Sequence, residues 1–208
     1  MSIEGVKMQK SQGVQSYLLI AVIVIIVGML SWFAVSYNAL VAKEEQVKTA
    51  WSQVESNLQR KVDLLPNLVK TVKRYAAHEK DVFESIAALR SDALKALQES
   101  RGEADAKQIK ALEETEHKLN ASLVKLFAVA ENYPQLRASE QFMQLQSQIE
   151  GAENRINITR MQFNDAVGEF NRYMRTIPVN IVASVAGFQR KAYFQAKPEA
   201  HKELKLEI

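Results

Sequence analysis

Hydrophobic and polar positions divide this chain into one unbroken apolar block followed by a series of striped segments. The block, YLLIAVIVIIVGMLSWFAV, runs from Tyr17 to Val35, 19 residues without a Lys, Arg, His, Asp or Glu, inside an uncharged run from Ser11 to Ala42. A helix of that length covers about 28 Å, close to the hydrocarbon thickness of a bilayer, and it satisfies its backbone groups internally as lipid requires. Tyr17 near one end, with Trp32 and Tyr37 near the other, are amphipathic aromatics that favour headgroup depth. The block has no polar face to turn towards water, so the pattern predicts a transmembrane helix over 17–35 behind a short N-terminal tail, 1–16.

Past the block the apolar positions become periodic. Tyr37, Leu40, Glu44, Val47, Trp51, Val54, Leu58 and Leu65 follow steps of three and four, with Lys61 as a polar interruption. Such a stripe faces a partner helix. It predicts a helix continuing directly from the membrane and kinked or restarted at Pro66, whose ring does not fit an uninterrupted helix. A second helix carries Leu68, Val69, Val72, Ala76, Phe83, Ile86, Leu89 and Leu97, and ends in a turn between Glu99 and Asp105 that contains Arg101-Gly102. A third carries Ile109, Leu112, Leu119, Leu123, Leu126 and Ala130, interrupted by Glu116 and stopped by Asn132-Tyr133-Pro134.

Ser139 is a fitting N-cap for a fourth helix running to about Thr176. There Phe142, Ile149, Ile156, Phe163 and Phe170 recur every seven residues, a repeat that implies left-handed supercoiling. Four stripes of similar length predict an all-α fold in which the transmembrane helix continues into an elongated antiparallel four-helix bundle over 36–188. Within it Asn180 to Phe188, NIVASVAGF, is too short to span a bilayer and reads as a short helix stopped by Gly187. Residues 189–208 alternate Lys and Glu around Pro198 and read as a flexible tail.

Charge and cysteine content narrow the function. The net charge of +3 is small and mixed along the chain, so no nucleic-acid footprint is present. With no cysteine there is no disulfide, no thiolate metal site and no lipoprotein anchor. Lys7 and Lys10 before the apolar run, and Ala34-Val35-Ser36 at its end, resemble parts of a cleavable signal, but the run exceeds a usual signal core, which favours a retained anchor. Lys7 and Lys10 on one side balance Lys43 and Lys48 on the other, so the positive-inside rule leaves orientation open, with a slight lean to a cytoplasmic N-terminus.

No catalytic constellation emerges. His78-Glu79 lacks a second histidine one turn away, and His117 beside Glu113, Glu114 and Glu116 reads better as a solvated helix face than as a cation site. There is no phosphate-cradling loop and no nucleophile elbow. We therefore expect no catalytic residues, no metal and no cofactor. The polar set on the fourth helix is more informative. Asn157, Asn164 and Asn171 fall seven apart beside the apolar stripe, with Arg155, Arg160 and Arg172 nearby. Buried amides must find partners, so these positions are expected either to fix register between long helices or to form a contact surface. Glu44, on the core-facing stripe, is expected to pair with a basic side chain such as Arg60, Lys61 or Arg160, or else to lie in the wet membrane-proximal end of the bundle.

Three stretches together resemble the LemA family of bacterial membrane proteins: YNALVAKEEQVKTAWSQVESNLQRKVDLLPNLVKTVKRYAAHE, YPQLRASEQFMQLQSQIEGAENRI, and FNDAVGEFNRYMRTIP with AGFQRKAYF. The resemblance covers Tyr37 to Phe194 and implies an N-terminal membrane anchor with a helical bundle. It also implies a short N-terminus outside and the bundle in the cytoplasm, opposite to the lean from charge, and it implies no particular activity.

The expectation that follows is a single-pass protein of the bacterial inner membrane that acts as a non-enzymatic interaction or scaffold module. Its partners would be membrane lipid together with other proteins or further copies of itself, and not nucleic acid. Exposed faces at Trp51, Tyr173 or Tyr193 would serve self-association; use of these residues in a monomeric core is equally compatible. The alternatives are a ligand-sensing bundle that signals through its membrane helix, and an oligomeric membrane-shaping protein.

Overall fold

The computed structural model describes residues 3–102 and 105–195, with side chains from residue 17 onward. Every regular element among them is helical: α1 (Ile3–Lys73), α2 (Lys80–Glu99), α3 (Ala106–Glu131), α4 (Pro134–Arg137), α5 (Glu140–Met174) and α6 (Val179–Ala186). By their contacts they fall into two units. One comprises the chain up to Lys43 with Arg172–Gln189, and the other comprises Glu44–Asn171 with the chain from Arg190 on.

In the first unit, α1 carries the apolar block with its side chains turned outward. From Tyr17 to Val35 every residue is exposed except half-buried Phe33. Monomeric soluble proteins rarely expose contiguous apolar patches beyond a few hundred Å². Among the described residues α1 is the one helix long and apolar enough to cross a membrane. Burial on this helix begins at Ser36 and Leu40. Tyr37 meets Phe188 with ring centroids 5.8 Å apart, and the Lys43 ammonium lies 5.8 Å from the centre of the Tyr173 ring. The short α6 buries Val179, Val182 and Ala183. It ends at Gly187, whose φ of 76° is left-handed, while the Phe188 N–H donates to the Ala183 carbonyl at 3.0 Å. Gly has no Cβ to oppose that turn, so the backbone closes the helix end at little cost.

The second unit is built on the four stripes. Val47, Trp51, Val54, Leu58, Val62, Leu65, Leu68 and Val72 of α1 are all buried. So are Phe83, Ile86, Ala93 and Leu97 of α2, and Ile109, Leu112, Leu119, Leu123, Leu126 and Ala130 of α3. The five heptad positions of α5, from Phe142 to Phe170, are all at most 4% exposed. α2 packs against α3, where the Ser85 and Ser122 hydroxyls lie 3.2 Å apart. Between them the chain turns at Gly102, φ 84°, and α3 opens with a reciprocal cap. The Asp105 carboxylate accepts the Gln108 N–H at 2.7 Å, and the Gln108 side chain accepts the Asp105 N–H at 2.9 Å. This satisfies two backbone donors that a helix start otherwise leaves orphaned.

Three expectations about the chain path are corrected. The helix does not restart at Pro66, which lies inside α1; Leu68 and Val72 belong to that same helix, and the break comes over residues 74–79. Pro66 is exposed while Val62, Leu65 and Leu68 around it are 2% exposed or less. Burial of that apolar face outweighs the hydrogen bond that proline removes. At the N-terminal side α1 begins at Ile3, within the segment read as a tail. At the other end, residues 190–195, read as the start of a flexible tail, are bound to the second unit as described below, and 196–208 lie outside the described residues.

An exposed interior proline makes a clean test. Pro66→Ala removes no buried surface and restores a backbone donor, so it should raise stability by up to about 3 kcal/mol. The denaturant midpoint of the two proteins measures it, and a fall would mean that the Pro66 geometry is itself required by the packing of α1.

Candidate functional site

Two polar positions that interrupt the apolar stripes, Lys61 and Glu116, meet in the interior. Lys61 is 1% exposed and Glu116 5%. The Lys61 ammonium donates to Asn120 Oδ1 at 2.5 Å, makes a short ion pair with Glu153, and stands 3.9 Å from Glu116 Oε1. Glu116 in turn is closely paired with the Arg160 guanidinium, and the Asn120 amide donates to Glu153 at 3.3 Å. One ammonium, one guanidinium and two carboxylates balance formally. Glu116 and Asn120 stand four apart on α3, and Glu153 and Arg160 seven apart on α5, so each pair occupies one helix face and converges on Lys61 of α1. A narrow crevice is lined by Lys61 and Glu116 themselves, with Thr115 and the apolar Leu58, Val62, Ala93, Leu97, Leu112 and Leu119.

Arg160 connects this cluster to an aromatic one. Its guanidinium lies 4.7 Å above the Phe194 ring. Phe194 stacks on Trp51 at 5.7 Å and meets Phe163 edge-on at 5.4 Å, while Trp51 and Phe163 are themselves 5.4 Å apart. The Trp51 indole N–H donates to the Ser100 carbonyl at 3.0 Å, satisfying a carbonyl just past the end of α2. Trp51 is therefore a core residue, 1% exposed, so of the two uses left open by the sequence it takes the core one. Tyr193 is exposed and Tyr173 half-buried.

Phe194 belongs to a strap, residues 190–195, fixed by the asparagines of α5. Asn171 accepts the Lys191 N–H at 3.0 Å and donates to the Lys191 carbonyl at 2.9 Å. Asn164 does the same for Phe194, at 2.9 and 3.1 Å. Seven helical residues rise about 10.5 Å and three extended ones about 10 Å, so the heptad spacing of the amides matches a nearly extended strap. The Gln195 N–H donates to Glu113 of α3 at 3.0 Å, and Lys191 pairs with Glu44 at 2.8 Å. The amides of Asn164 and Asn171 hold the backbone of the strap and not a neighbouring helix, a correction to the interhelical reading. Glu44 pairs with a basic side chain as expected, that of Lys191 in place of the three examples drawn from the sequence.

The remaining positions singled out in the sequence lie apart from this centre. Asn157, Arg155 and Arg172 are exposed on α5, so Arg160, Asn164 and Asn171 are the members of the set that the fold brings together. Tyr17, Trp32 and Tyr37 line the outward face of α1. His78 and His117 are exposed, and among the described residues no group of three or more His, Cys, Asp or Glu side chains is placed to hold a metal ion. Burial pushes the pKa of the Glu55 carboxyl above its ordinary 4.5, opposed by hydrogen bonding to Trp51 and the Gly102 backbone and by the charge of Arg101. Sequence reading missed the Lys61–Glu153 pair and the insertion of Phe194. The interruptions at Lys61 and Glu116 were the available signal for the first; nothing local signals the second.

An all-helical chain with an outward-facing apolar helix and polar groups joining its helices belongs to the class of membrane-associated helical proteins. The LemA family model matches residues 50–207, and the chain is a member of the LemA family. It is similar to magnetosome protein MamQ 2 of Paramagnetospirillum magneticum, 27% identical over 197 residues covering 87% of this chain and 72% of the relative. It is also similar to magnetosome protein MamQ of Magnetospirillum gryphiswaldense, 26% identical over 189 residues covering 83% and 70%. Family, relatives and the apolar helix together fit a bacterial membrane protein.

Two expected outcomes test the interior. Lys61→Met leaves Glu153 facing an apolar neighbour and should cost about 3 kcal/mol, while Lys61→Met with Glu153→Leu should cost less than the sum of the single changes. A double-mutant cycle in urea measures the coupling, and additivity would mean that the pair is energetically independent. Asn164→Leu or Asn171→Leu strips both hydrogen bonds from a strap residue, at about 1–3 kcal/mol for each buried group orphaned. Because the strap can open locally, the change should show first as faster tryptic cleavage after Arg190 and Lys191 with an unchanged helical signal. Cleavage at the unsubstituted rate would rule out the clamp.

Proposed function

We propose that this chain is a single-pass protein of the bacterial inner membrane. Residues 36–188 would form an elongated antiparallel four-helix bundle that works as a non-enzymatic scaffold for partner proteins or further copies. The observation that carries this reading is where the interior polar groups go. Lys61, Glu116, Glu153, Arg160, Asn164 and Asn171 are each engaged with atoms of other segments of the chain. Groups so engaged build a fixed shape. Association then falls to the exposed surface, where Arg155 and Arg172 are candidates. Arginine is enriched where protein surfaces recognise one another.

The test has two arms. After a carbonate wash the chain should stay in the membrane fraction with residues ahead of Ser36 still present. Cross-linking on that membrane should capture protein partners or further copies, and the double variant Arg155→Glu with Arg172→Glu should lose them at unchanged helical content. Recovery of a soluble chain beginning near Tyr37 would overturn the anchor. Capture indifferent to both arginines would remove them as the contact surface.

A further inference from the structure

α6 carries a row of large aliphatic side chains that nothing in its own unit covers. Ile177 just ahead of the helix, then Ile181 and Val185 on it, are 86%, 59% and 73% exposed. Steps of four place them on one face, while Val179, Val182 and Ala183 on the opposite side are buried. The helix has eight residues, too few to cross a bilayer. Where its C-terminal end sits is set by a contact. Phe188 packs on Tyr37, two residues past Val35 and hence about 3 Å beyond the apolar block along α1. A bilayer of about 40–45 Å with a core of about 30 Å leaves a headgroup layer of about 5–7 Å on each side. The Tyr37–Phe188 pair therefore falls within that layer if Tyr17–Val35 occupies the core.

Charge agrees with that placement. The stretch from Arg172 to Gln189 contains Arg172 and Arg175, both exposed, and no acidic residue. An apolar row beside cationic side chains is the composition of a helix that lies in the headgroup–acyl boundary of an anionic membrane. We propose that the Ile177–Ile181–Val185 face of α6 is a second membrane contact, seated in the same leaflet interface from which α1 emerges. The occupant of this face is lipid. This rests on the reading of α1 as a membrane span, and it adds to it: the protein touches the bilayer beside the anchor as well as through it.

The chain has no cysteine, so single cysteines can carry a nitroxide spin label in the full-length protein. Ile25→Cys reports the span, Ile181→Cys and Val185→Cys report α6, and Lys118→Cys on α3 serves as a water-exposed reference. In nanodiscs of mixed phosphatidylcholine and phosphatidylglycerol, the ratio of oxygen to nickel-chelate accessibility should be severalfold higher at 25, 181 and 185 than at 118. Ratios at 181 and 185 that match 118, with 25 still in lipid, would overturn the second contact and leave the anchor standing. Exclusion of both reagents at 181 and 185 would also overturn it, since protein and not lipid would then cover the face. A lipid signature at 181 and 185 without one at 25 would support the docked face and remove the span.

Discussion

A lysine with 1% of its surface exposed is the constraint on which the second unit depends. The cost of desolvating an ammonium is several kcal/mol even after relaxation, and only near-ideal partners offset it. Lys61 finds them on two other helices at once, Asn120 and Glu116 of α3 and Glu153 of α5. Sliding any one helix by a turn, about 5.4 Å, would pull these groups beyond hydrogen-bonding range and leave charges buried without partners. Apolar stripes tolerate such slips far better, because one leucine resembles the next. The charged cluster thus selects one register from several that the heptads alone would permit, as a single polar core position does in coiled coils.

The strap extends the same logic with neutral groups. An asparagine side chain offers the same donor and acceptor as a peptide unit, so Asn164 and Asn171 pair with a passing backbone as a neighbouring strand would. This recognition is blind to side chains, and the particular fit comes from Phe194. Its ring fills the space between Trp51 and Phe163 beneath the Arg160 guanidinium. Arg160 takes part in both clusters, so the charged core and the strap are coupled through one side chain. Three rings in offset and edge-on contact contribute about 0.5–1.5 kcal/mol per pair beyond their buried area.

The outer surface follows a different rule from the core. A core whose polar groups are directed at one another holds its helices in one register, whereas α1 and α6 present aliphatic surfaces that water disfavours. The two surfaces differ in kind. Nineteen uncharged residues, all but Phe33 exposed, suit the interior of a bilayer, and one row on an eight-residue helix suits its boundary.

The sequence by itself determined the helical class and the apolar block. Period and length suffice for those: 3.6-residue stripes over 20 to 35 residues separate helix from strand without tertiary help, and an uncharged run long enough to cross a bilayer has few other solutions. It also marked Lys61, Glu116, Asn164 and Asn171 as polar groups on or beside apolar faces. Tertiary structure alone decided their partners. Glu153 lies 92 residues from Lys61, and Phe194 lies 143 from Trp51, so no local spacing could pair them. Pro66 shows the same division. Its ring predicts a break from local sterics, yet the helix runs through, because the apolar face carrying Val62, Leu65 and Leu68 gains more from burial than one hydrogen bond is worth. Local rules set what each segment prefers; long-range packing set which preferences were overridden.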